Sequence, residues 1–310
     1  MTDRATWTRA AAAASIAVAA MLVAAKLWAS WATGSTAMLG SLADSALDLV
    51  ASLVTLAGVW FASQPADREH RFGHGKAEAL AAMVQVMLIA VSASAIALRS
   101  VQRLLAPEPV DAAMRGIGVS LFAILATLGL LAFQRFVIAR TGSVAIKADH
   151  VHYQADVLLN LAVIAALALS ALADVPFADP LFGLAIAGWL LRGAWGAAHE
   201  AVDQLLDREW PDDKRAAFVA AAAEHPELSN LHDLRTRTSG TTDFAQFHVD
   251  LPGGMSVARA HAVIDRVEAD LLTRFPGTEL LIHIDPQGHV DDPDNPLAET
   301  DEFANLENET

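Results

Sequence analysis

Six apolar segments dominate the first two thirds of the chain, and each is about 20 residues or longer, enough to cross a bilayer as a helix. They cover residues 12–32, 38–61, 80–104, 117–138, 145–172 and 181–202. A turn or a proline separates several of them, which is typical of successive helices rather than one long helix. The sequence therefore predicts a transmembrane domain of six α-helices within residues 1–207.

The composition supports a membrane protein and limits its partners. Hydrophobic residues make up 54% of the chain, charged residues only 18%, and the mean hydropathy is +0.36. The formal net charge of −15 is concentrated after residue 200, which argues against nucleic acid as a partner because phosphate binding requires basic surfaces. The chain has no cysteine, so any metal site must use histidine and carboxylate ligands.

Basic residues flank the apolar segments unevenly, and this asymmetry predicts orientation because cytoplasmic loops carry the excess of lysine and arginine. Arg99, Arg103 and Arg115 lie on one side. We expect the other side to be cytoplasmic, and six spans then place both termini there. The basic residues on that side are Arg4, Arg9, Arg68, Arg71, Lys76, Arg135, Arg140 and Lys147.

After the last apolar segment the pattern changes to that of a soluble α/β domain. Helical spacing predicts helices over 212–225 and 256–275, and we interpret the segments 231–237, 244–251 and 279–284 as strands. The order αββαβ is typical of a ferredoxin-like sandwich, which we assign to residues 208–286. Residues 287–310 are acidic and rich in proline and asparagine, so we predict a disordered tail.

Two of the apolar segments carry ionisable residues at helical spacing. Asp44 and Asp48 share one helix face in the second segment, and His152 and Asp156 share one in the fifth. A carboxylate at membrane depth costs about 3 kcal/mol even on lenient scales, so these pairs require a function. If the two faces meet, three carboxylates and one imidazole form a site suited to zinc or a similar divalent ion. Each ligand also binds protons, so metal binding must displace them.

Two further clusters have the composition of metal sites. In the loop after the second segment, Asp67, His70 and His74 have near-helical spacing. The C-terminal domain has four histidines and one aspartate on its predicted elements, which indicate one or two metal ions. These residues are His232, His248, His261, His283 and Asp285.

Together these motifs, in this order, resemble those of the cation diffusion facilitator family, in its bacterial zinc and iron efflux branch, over residues 10–286. The motifs are Asp44 with Asp48, Asp67 followed by His70-x-Phe72-Gly73-His74-Gly75-Lys76, His152-Tyr153-Gln154-Ala155-Asp156, and His283-Ile284-Asp285-Pro286. The resemblance implies a homodimer in the bacterial inner membrane that exports a divalent metal in exchange for protons. Zinc is the expected ion, with cadmium or iron(II) as further candidates, and no organic substrate is implied.

The resemblance also implies roles for individual residues. Asp44, Asp48, His152 and Asp156 match the transport site, and the Asp67 cluster matches a loop site. The five ligands of the C-terminal domain match a regulatory two-ion site that Asp285 bridges. Lys76 and Asp207 match a salt bridge that holds the dimer near the membrane surface.

Three alternatives differ in what the metal does. Iron(II) or manganese export stays open, because selectivity depends on geometry and metal supply as well as ligand type. A membrane metal sensor that does not transport also stays open, although the ionisable pairs inside the spans argue against it. An intramembrane metalloenzyme is disfavoured, because the H-E-x-x-H pattern of such sites does not occur. The sequence therefore favours a transporter over an enzyme.

Overall fold

The computed structural model describes residues 3–33, 36–106, 117–173, 178–288 and 301–303. The side chains of 32–41, 43, 117–120 and 162–179 lie outside this description. The chain divides into two compact units, Met1–Val202 and Asp203–Thr310. The first unit is helical, and the second combines helices with one sheet.

The first unit contains the six helices that the apolar segments predict. Their bounds are α1 Asp3–Thr33, α2 Thr36–Ala62, α3 Ala77–Leu105, α4 Ile117–Thr141, α5 Val144–Ala173 and α6 Ala178–Leu205. Among the described residues, all except α5 contain a segment long and apolar enough to cross a membrane. The described side chains of α5 end at residue 161 and include Lys147, Asp149 and Asp156, whereas its more apolar remainder, 162–173, lies outside the described side chains. The expected helical membrane domain is confirmed.

The helices pack through small and branched side chains. One cluster joins α1, α2, α4 and α5 through Ala11, Val59, Val137 and Ile146, which are at most 2% exposed. α2 and α3 approach closely at Gly58, because a Cβ atom there would lie 2.2 Å from the Cβ of Ala81. Close contacts between small residues are typical of helix packing in membranes. Large apolar side chains elsewhere on the bundle, such as Trp31 and Val91, are exposed.

The second unit begins with α7 (Asp212–Ala223) and continues as β1 (Ser229–Ser239), β2 (Thr242–Leu251), α8 (Val257–Arg274) and β3 (Thr278–Pro286). The sheet has the order β1-β2-β3. β1 and β2 are antiparallel, whereas β2 and β3 are parallel and are connected through α8. This is the αββαβ order predicted from the sequence, with each boundary within a few residues.

Phe218 of α7 lies at the centre of the core of this domain and is fully buried. Its ring contacts Trp210, Phe247 and Phe275 edge-on, with centroids 5.2 to 5.7 Å apart. Such edge-to-face pairs add about 0.5–1.5 kcal/mol beyond the burial of their area. The core therefore ties α7 to the central strand β2 and to the end of α8.

Most of the predicted tail 287–310 lies outside the described residues, which include only 287–288 and 301–303 of it. Phe303 is half-buried against the core of the second unit, and Glu302 accepts a hydrogen bond from Arg215 of α7. This short segment of the tail therefore contacts the folded domain.

Candidate metal centres

The first candidate centre joins α2 to α5 inside the helical unit. The Nε2 atom of His152 lies 3.0 Å from Oδ1 of Asp48 and 4.0 Å from Oδ2 of Asp156. All three residues offer one ligand atom within 4.8 Å of the others, and His152 is only 9% exposed. A nitrogen and two carboxylate oxygens so close together suit a divalent ion of the zinc type, with a fourth position open.

The position of α5 at this centre is fixed by the residue next to its histidine. The Tyr153 hydroxyl is buried and lies 2.8 Å from Ser52 Oγ on α2. It also donates a hydrogen bond to the backbone oxygen of Ser15 on α1, at 3.2 Å. Because Ser52 follows Asp48 by one helical turn, these bonds hold α2 and α5 in the register that brings Asp48 to His152.

Asp44 is not part of this group. Asp44 lies one turn before Asp48 on α2 and is exposed, and it offers no ligand atom to the three-residue cluster. The structure therefore brings together three of the four residues predicted for the transport site. Next to Asp44, Ser45 accepts a hydrogen bond from the ammonium group of Lys26 at 2.6 Å, so α1 places a cation at this end of the centre.

The second candidate centre lies in the loop between α2 and α3. Asp67 Oδ2 is 3.3 Å from Nε2 of His74, and Oδ1 is 3.5 Å from Nδ1 of His70. The two imidazole rings lie 4.7 Å apart, and the ring of His74 is buried edge-on against Phe61. The three predicted ligands therefore meet in one group.

Asp67 also organises the loop that carries these ligands. Its Oδ1 accepts hydrogen bonds from the backbone N–H groups of Glu69 at 2.9 Å and His70 at 2.6 Å. The hydrogen bond from His70 is the main cause that lowers the pKa of the Asp67 carboxyl below its usual value. The carboxyl is thus ready as an anionic ligand near neutral pH.

The third candidate centre lies on the sheet of the second unit. His232, His248 and His283 occupy directly paired positions on β1, β2 and β3. Asp285 Oδ2 lies 2.9 Å from His248 Nδ1 and 3.8 Å from His232 Nε2, and Oδ1 lies 3.5 Å from His283 Nε2. His232, His248 and Asp285 form one group, and His283 contacts its edge. Asp285 has one oxygen toward each side of the cluster, as a bridging ligand requires.

The local backbone explains how His232 reaches this centre. The register of β1 shifts on both sides of His232, and Asn230 and Asp233 adopt positive φ angles of 51°. Such bulges redirect a side chain out of the regular alternation of the strand. The Nδ1 atom of His232 lies 2.8 Å from the backbone oxygen of Asn230, which leaves Nε2 directed at Asp285.

His261 is separate from this group within one chain. It lies on α8, is exposed, and pairs through Nδ1 with Asp265 at 3.0 Å. It nevertheless lines the same cavity of about 500 Å³ as Asp285, between α8 and β3. The structure therefore places His261 near the centre but not among the close ligands.

The predicted salt bridge between Lys76 and Asp207 involves residues of different units. Lys76 immediately precedes α3. Asp207 has a positive φ of 57° and accepts a hydrogen bond from Arg237 at 3.3 Å. The salt bridge between Lys76 and Asp207 therefore stays a prediction.

One buried carboxylate near the first centre was missed by the sequence analysis. Asp149 is fully buried one turn before His152, among side chains of α1 and α4. The spacing could have identified it, because Asp149 lies three residues before His152 and extends the helix face of His152 and Asp156 toward the start of α5. Only His152 and Asp156 were interpreted as ligands on that face, and Asp149 was given no role.

Comparison with known families covers nearly the whole chain. Residues 12–206 match the model described as the cation efflux transmembrane domain, and residues 210–287 match that of the cation efflux protein cytoplasmic domain. The boundary between the two matches lies close to the boundary between the two compact units. They include the helices and strands that carry all three candidate centres.

Individual relatives extend over most of the same residues. The cation-efflux pump FieF of Cronobacter sakazakii is 46% identical over 278 residues, which cover 90% of this chain and 92% of the relative. The pump of the same name from Yersinia pestis is 46% identical over 280 residues, with 90% and 93% covered. Among solved structures, the metal-bound C-terminal domain of the CzcD transporter from Thermotoga maritima is 30% identical, covering 26% of this chain and 93% of that chain, with a TM-score of 0.25.

Proposed function

Because the chain belongs to the cation efflux family, we propose that it exports a divalent metal ion of the zinc type from the cytoplasm in exchange for protons. The observation that carries this proposal is the contact between Asp48 and His152, which unites two helices at a buried centre. An ionisable group inside a membrane domain generally marks an ion pathway or proton relay. Here the ligand set accepts either a metal ion or protons.

The mechanism follows from that competition. Metal binds from the cytoplasm when the two carboxylates are ionised and the imidazole is neutral, since each ligand must be deprotonated. A movement of α2 and α5 then opens the centre to the other side of the membrane. Protons there compete for Asp48, His152 and Asp156 and release the metal. The exposed Asp44 is available to complete the ligand set in another state of this cycle.

The ligand chemistry favours zinc over harder ions. Magnesium and calcium prefer six or more oxygen ligands, and manganese also prefers oxygen, whereas imidazole suits zinc, iron(II) and copper. The centre contains one imidazole and two carboxylates, which fits a tetrahedral ion. Iron(II) is the second candidate, because the same donor set binds it and supply decides between the two ions.

The second unit acts in this proposal as a metal-dependent regulator of a homodimer. Metal at His232, His248, His283 and Asp285 joins all three strands of the sheet. If the metal binds one arrangement of the two subunits more tightly than another, it shifts the population toward the first arrangement. The size of the shift is set by the difference between the two affinities. His261, which lines the adjacent cavity, is available to a second ion.

Inverted membrane vesicles test the transport function directly. Vesicles that contain the full chain should accumulate zinc when their interior is acidified, and Asp48→Ala should abolish that uptake. Asp203→Ala, which removes a carboxylate that pairs with Arg208 outside the centre, is the matched control and should retain uptake. Equal uptake by the Asp48→Ala variant, or no uptake by the native protein with any divalent ion, would disprove the proposal.

A further inference from the structure

Asp149 is a fully buried carboxylate whose hydrogen-bond partners are neutral groups from other helices. Its Oδ2 atom lies 2.6 Å from Ser15 Oγ of α1 and 2.8 Å from Gln134 Nε2 of α4. Its Oδ1 atom is buried and has no hydrogen-bond partner among the described residues. An ionised carboxylate in this position would leave one charged oxygen without a donor, which is costly in a low-dielectric interior.

The hydrogens available at Ser15 also favour a neutral Asp149. Ser15 has one hydroxyl hydrogen but lies within reach of two acceptors, Asp149 Oδ2 and the backbone oxygen of Ala11 at 3.2 Å. Its Oγ also accepts from Gln134 Nε2 at 3.1 Å. If Asp149 carries a proton on Oδ2, that proton goes to Ser15, and the Ser15 hydrogen goes to Ala11. Asp149 Oδ2, Ser15 Oγ and the backbone oxygen of Ala11 then each have a partner. Oδ1 is left as an uncharged carbonyl oxygen, which costs less to bury without a donor than a charged oxygen does.

The orientation of Gln134 is consistent with this arrangement. Its Nε2 faces Asp149, and its Oε1 lies 3.1 Å from Nδ1 of His150, which can donate to it. The network continues to the metal centre, because the backbone oxygen of Ser15 accepts from Tyr153, whose hydroxyl also contacts α2. Asp149 is therefore joined through hydrogen bonds to the helices that carry the metal ligands.

The charged and titratable groups around Asp149 make its proton sensitive to the metal centre. Asp48 on α2 and His152 on α5 interact with it electrostatically, and Tyr153 is the neutral phenol of the same network. α1 and α4 contribute the two neutral side chains described above. On α3, the buried Glu78 is the titratable group that faces the first turn of α5.

We propose that Asp149 is a proton-carrying residue of the transport cycle, protonated while the adjacent metal centre is empty and ionised when a divalent cation occupies it. A dication one helical turn away favours the carboxylate, because opposite charges at short range stabilise the ionised form. The released proton leaves as the metal enters, and the carboxylate regains a proton after the metal departs. This inference rests on the proposed function and adds a proton site that is distinct from the metal ligands.

Proton release on metal binding tests this role in the purified full-length protein. Zinc is added to weakly buffered protein, and protons are counted with a pH indicator while bound zinc is measured separately. Asp149→Asn is nearly isosteric and cannot ionise. Its amide nitrogen can donate to Ser15 when the Gln134 amide flips, because Gln134 then presents Oε1 instead of Nε2 to it. We expect it to bind zinc and, at saturating zinc, to release about one proton fewer per chain than the native protein. Equal proton release by both proteins would overturn the proposal and leave Asp149 as a neutral hydrogen-bonding link between helices.

A second measurement does not depend on the folding of that variant. An infrared difference spectrum on zinc addition should show the loss of the carbonyl band of a protonated carboxylic acid. Ser15→Ala removes the hydroxyl that contacts Asp149 and should shift the frequency of part of this band, since the metal ligands do not touch Ser15. A band that is absent in the native protein, or unshifted in the Ser15→Ala variant, would overturn the proposal.

Vesicle transport separates this inference from the proposed function. If the native protein exports no metal, the proposed function fails whatever the proton count. If it exports metal and Asp149→Asn exports it with unchanged dependence on the pH gradient, only the role of Asp149 fails. We expect the variant to transport zinc with a weaker response to the gradient.

Discussion

The Nε2 atom of His152 lies 3.0 Å from Oδ1 of Asp48, although the two residues are 104 positions apart in the sequence. They come from α5 and α2, and the hydrogen bonds of Tyr153 keep these helices in register. An imidazole and a carboxylate in contact inside an apolar bundle can serve as two ligands of a metal ion. It also fixes which helices must move together if the ion is to leave.

Replacement of the imidazole should change the metal preference of the transport centre. His152→Asp creates an all-oxygen ligand set, which suits manganese better and zinc worse. We expect the ratio of zinc to manganese uptake in inverted vesicles to fall by about tenfold or more, the change that about 1.4 kcal/mol of relative affinity produces. His150→Ala is the control, because His150 contacts Gln134 rather than a ligand. An unchanged ratio in the His152→Asp variant would mean that His152 does not contact the ion.

The elements of the fold were largely predictable from the sequence, because they follow from local patterns. Long apolar segments predict the helices of the first unit, and short segments between turn residues predict the strands of the second. Helix and strand periodicity also predicts which ligands share a face, as for His152 with Asp156 and for His283 with Asp285.

The remaining features depend on packing that periodicity does not encode. Asp44 and Asp48 share a helix face, yet only Asp48 reaches His152, because the crossing of α2 and α5 selects one turn. His232 reaches Asp285 only through an irregular segment of β1 with two positive φ angles. Asp149 is surrounded by Ser15 and Gln134, whose positions depend on how α1 and α4 pack.

Metal should stabilise the second unit through Asp285. A ligand at 100 times its dissociation constant stabilises a folded protein by about 2.7 kcal/mol, and Asp285 contacts all three strand histidines. We expect zinc to slow amide hydrogen exchange in β1 and β3 of the full-length protein, and Asp285→Ala to remove this protection. His261→Ala should retain most of it, since His261 pairs with Asp265 instead. Protection that persists in the Asp285→Ala variant would exclude this residue as a bridging ligand.

The loop between α2 and α3 allows ligand and structural roles of Asp67 to be separated. Asp67→Asn keeps an oxygen that accepts from the backbone of Glu69 and His70, but it removes the anionic ligand. Asp67→Ala removes both the acceptor oxygen and the anionic ligand. We expect zinc to protect the exposed Arg68 and Arg71 of the native protein from trypsin, and to protect neither variant.

Without zinc, the two variants should differ from each other. Asp67→Ala should be cleaved faster than the native protein because its loop has lost two hydrogen bonds, whereas Asp67→Asn should be cleaved at the native rate. The rate is measured from the appearance of the two fragments on a gel. Zinc protection of Asp67→Asn equal to that of the native protein would contradict a metal site in this loop.

The contact of Phe303 with the second unit predicts that the end of the tail stabilises α7. Phe303 is half-buried against the core, so Phe303→Ala should cost about 1–2 kcal/mol, less than the 3–5 kcal/mol typical of a fully buried phenylalanine. Glu302→Gln, which only weakens the ion pair with Arg215, should cost less than about 1 kcal/mol. Hydrogen exchange of residues 212–223 in the full-length protein measures both changes, because loss of the contact makes local opening of α7 easier. If Phe303→Ala leaves that exchange unchanged while Glu302→Gln accelerates it, the ion pair rather than the aromatic contact holds the tail.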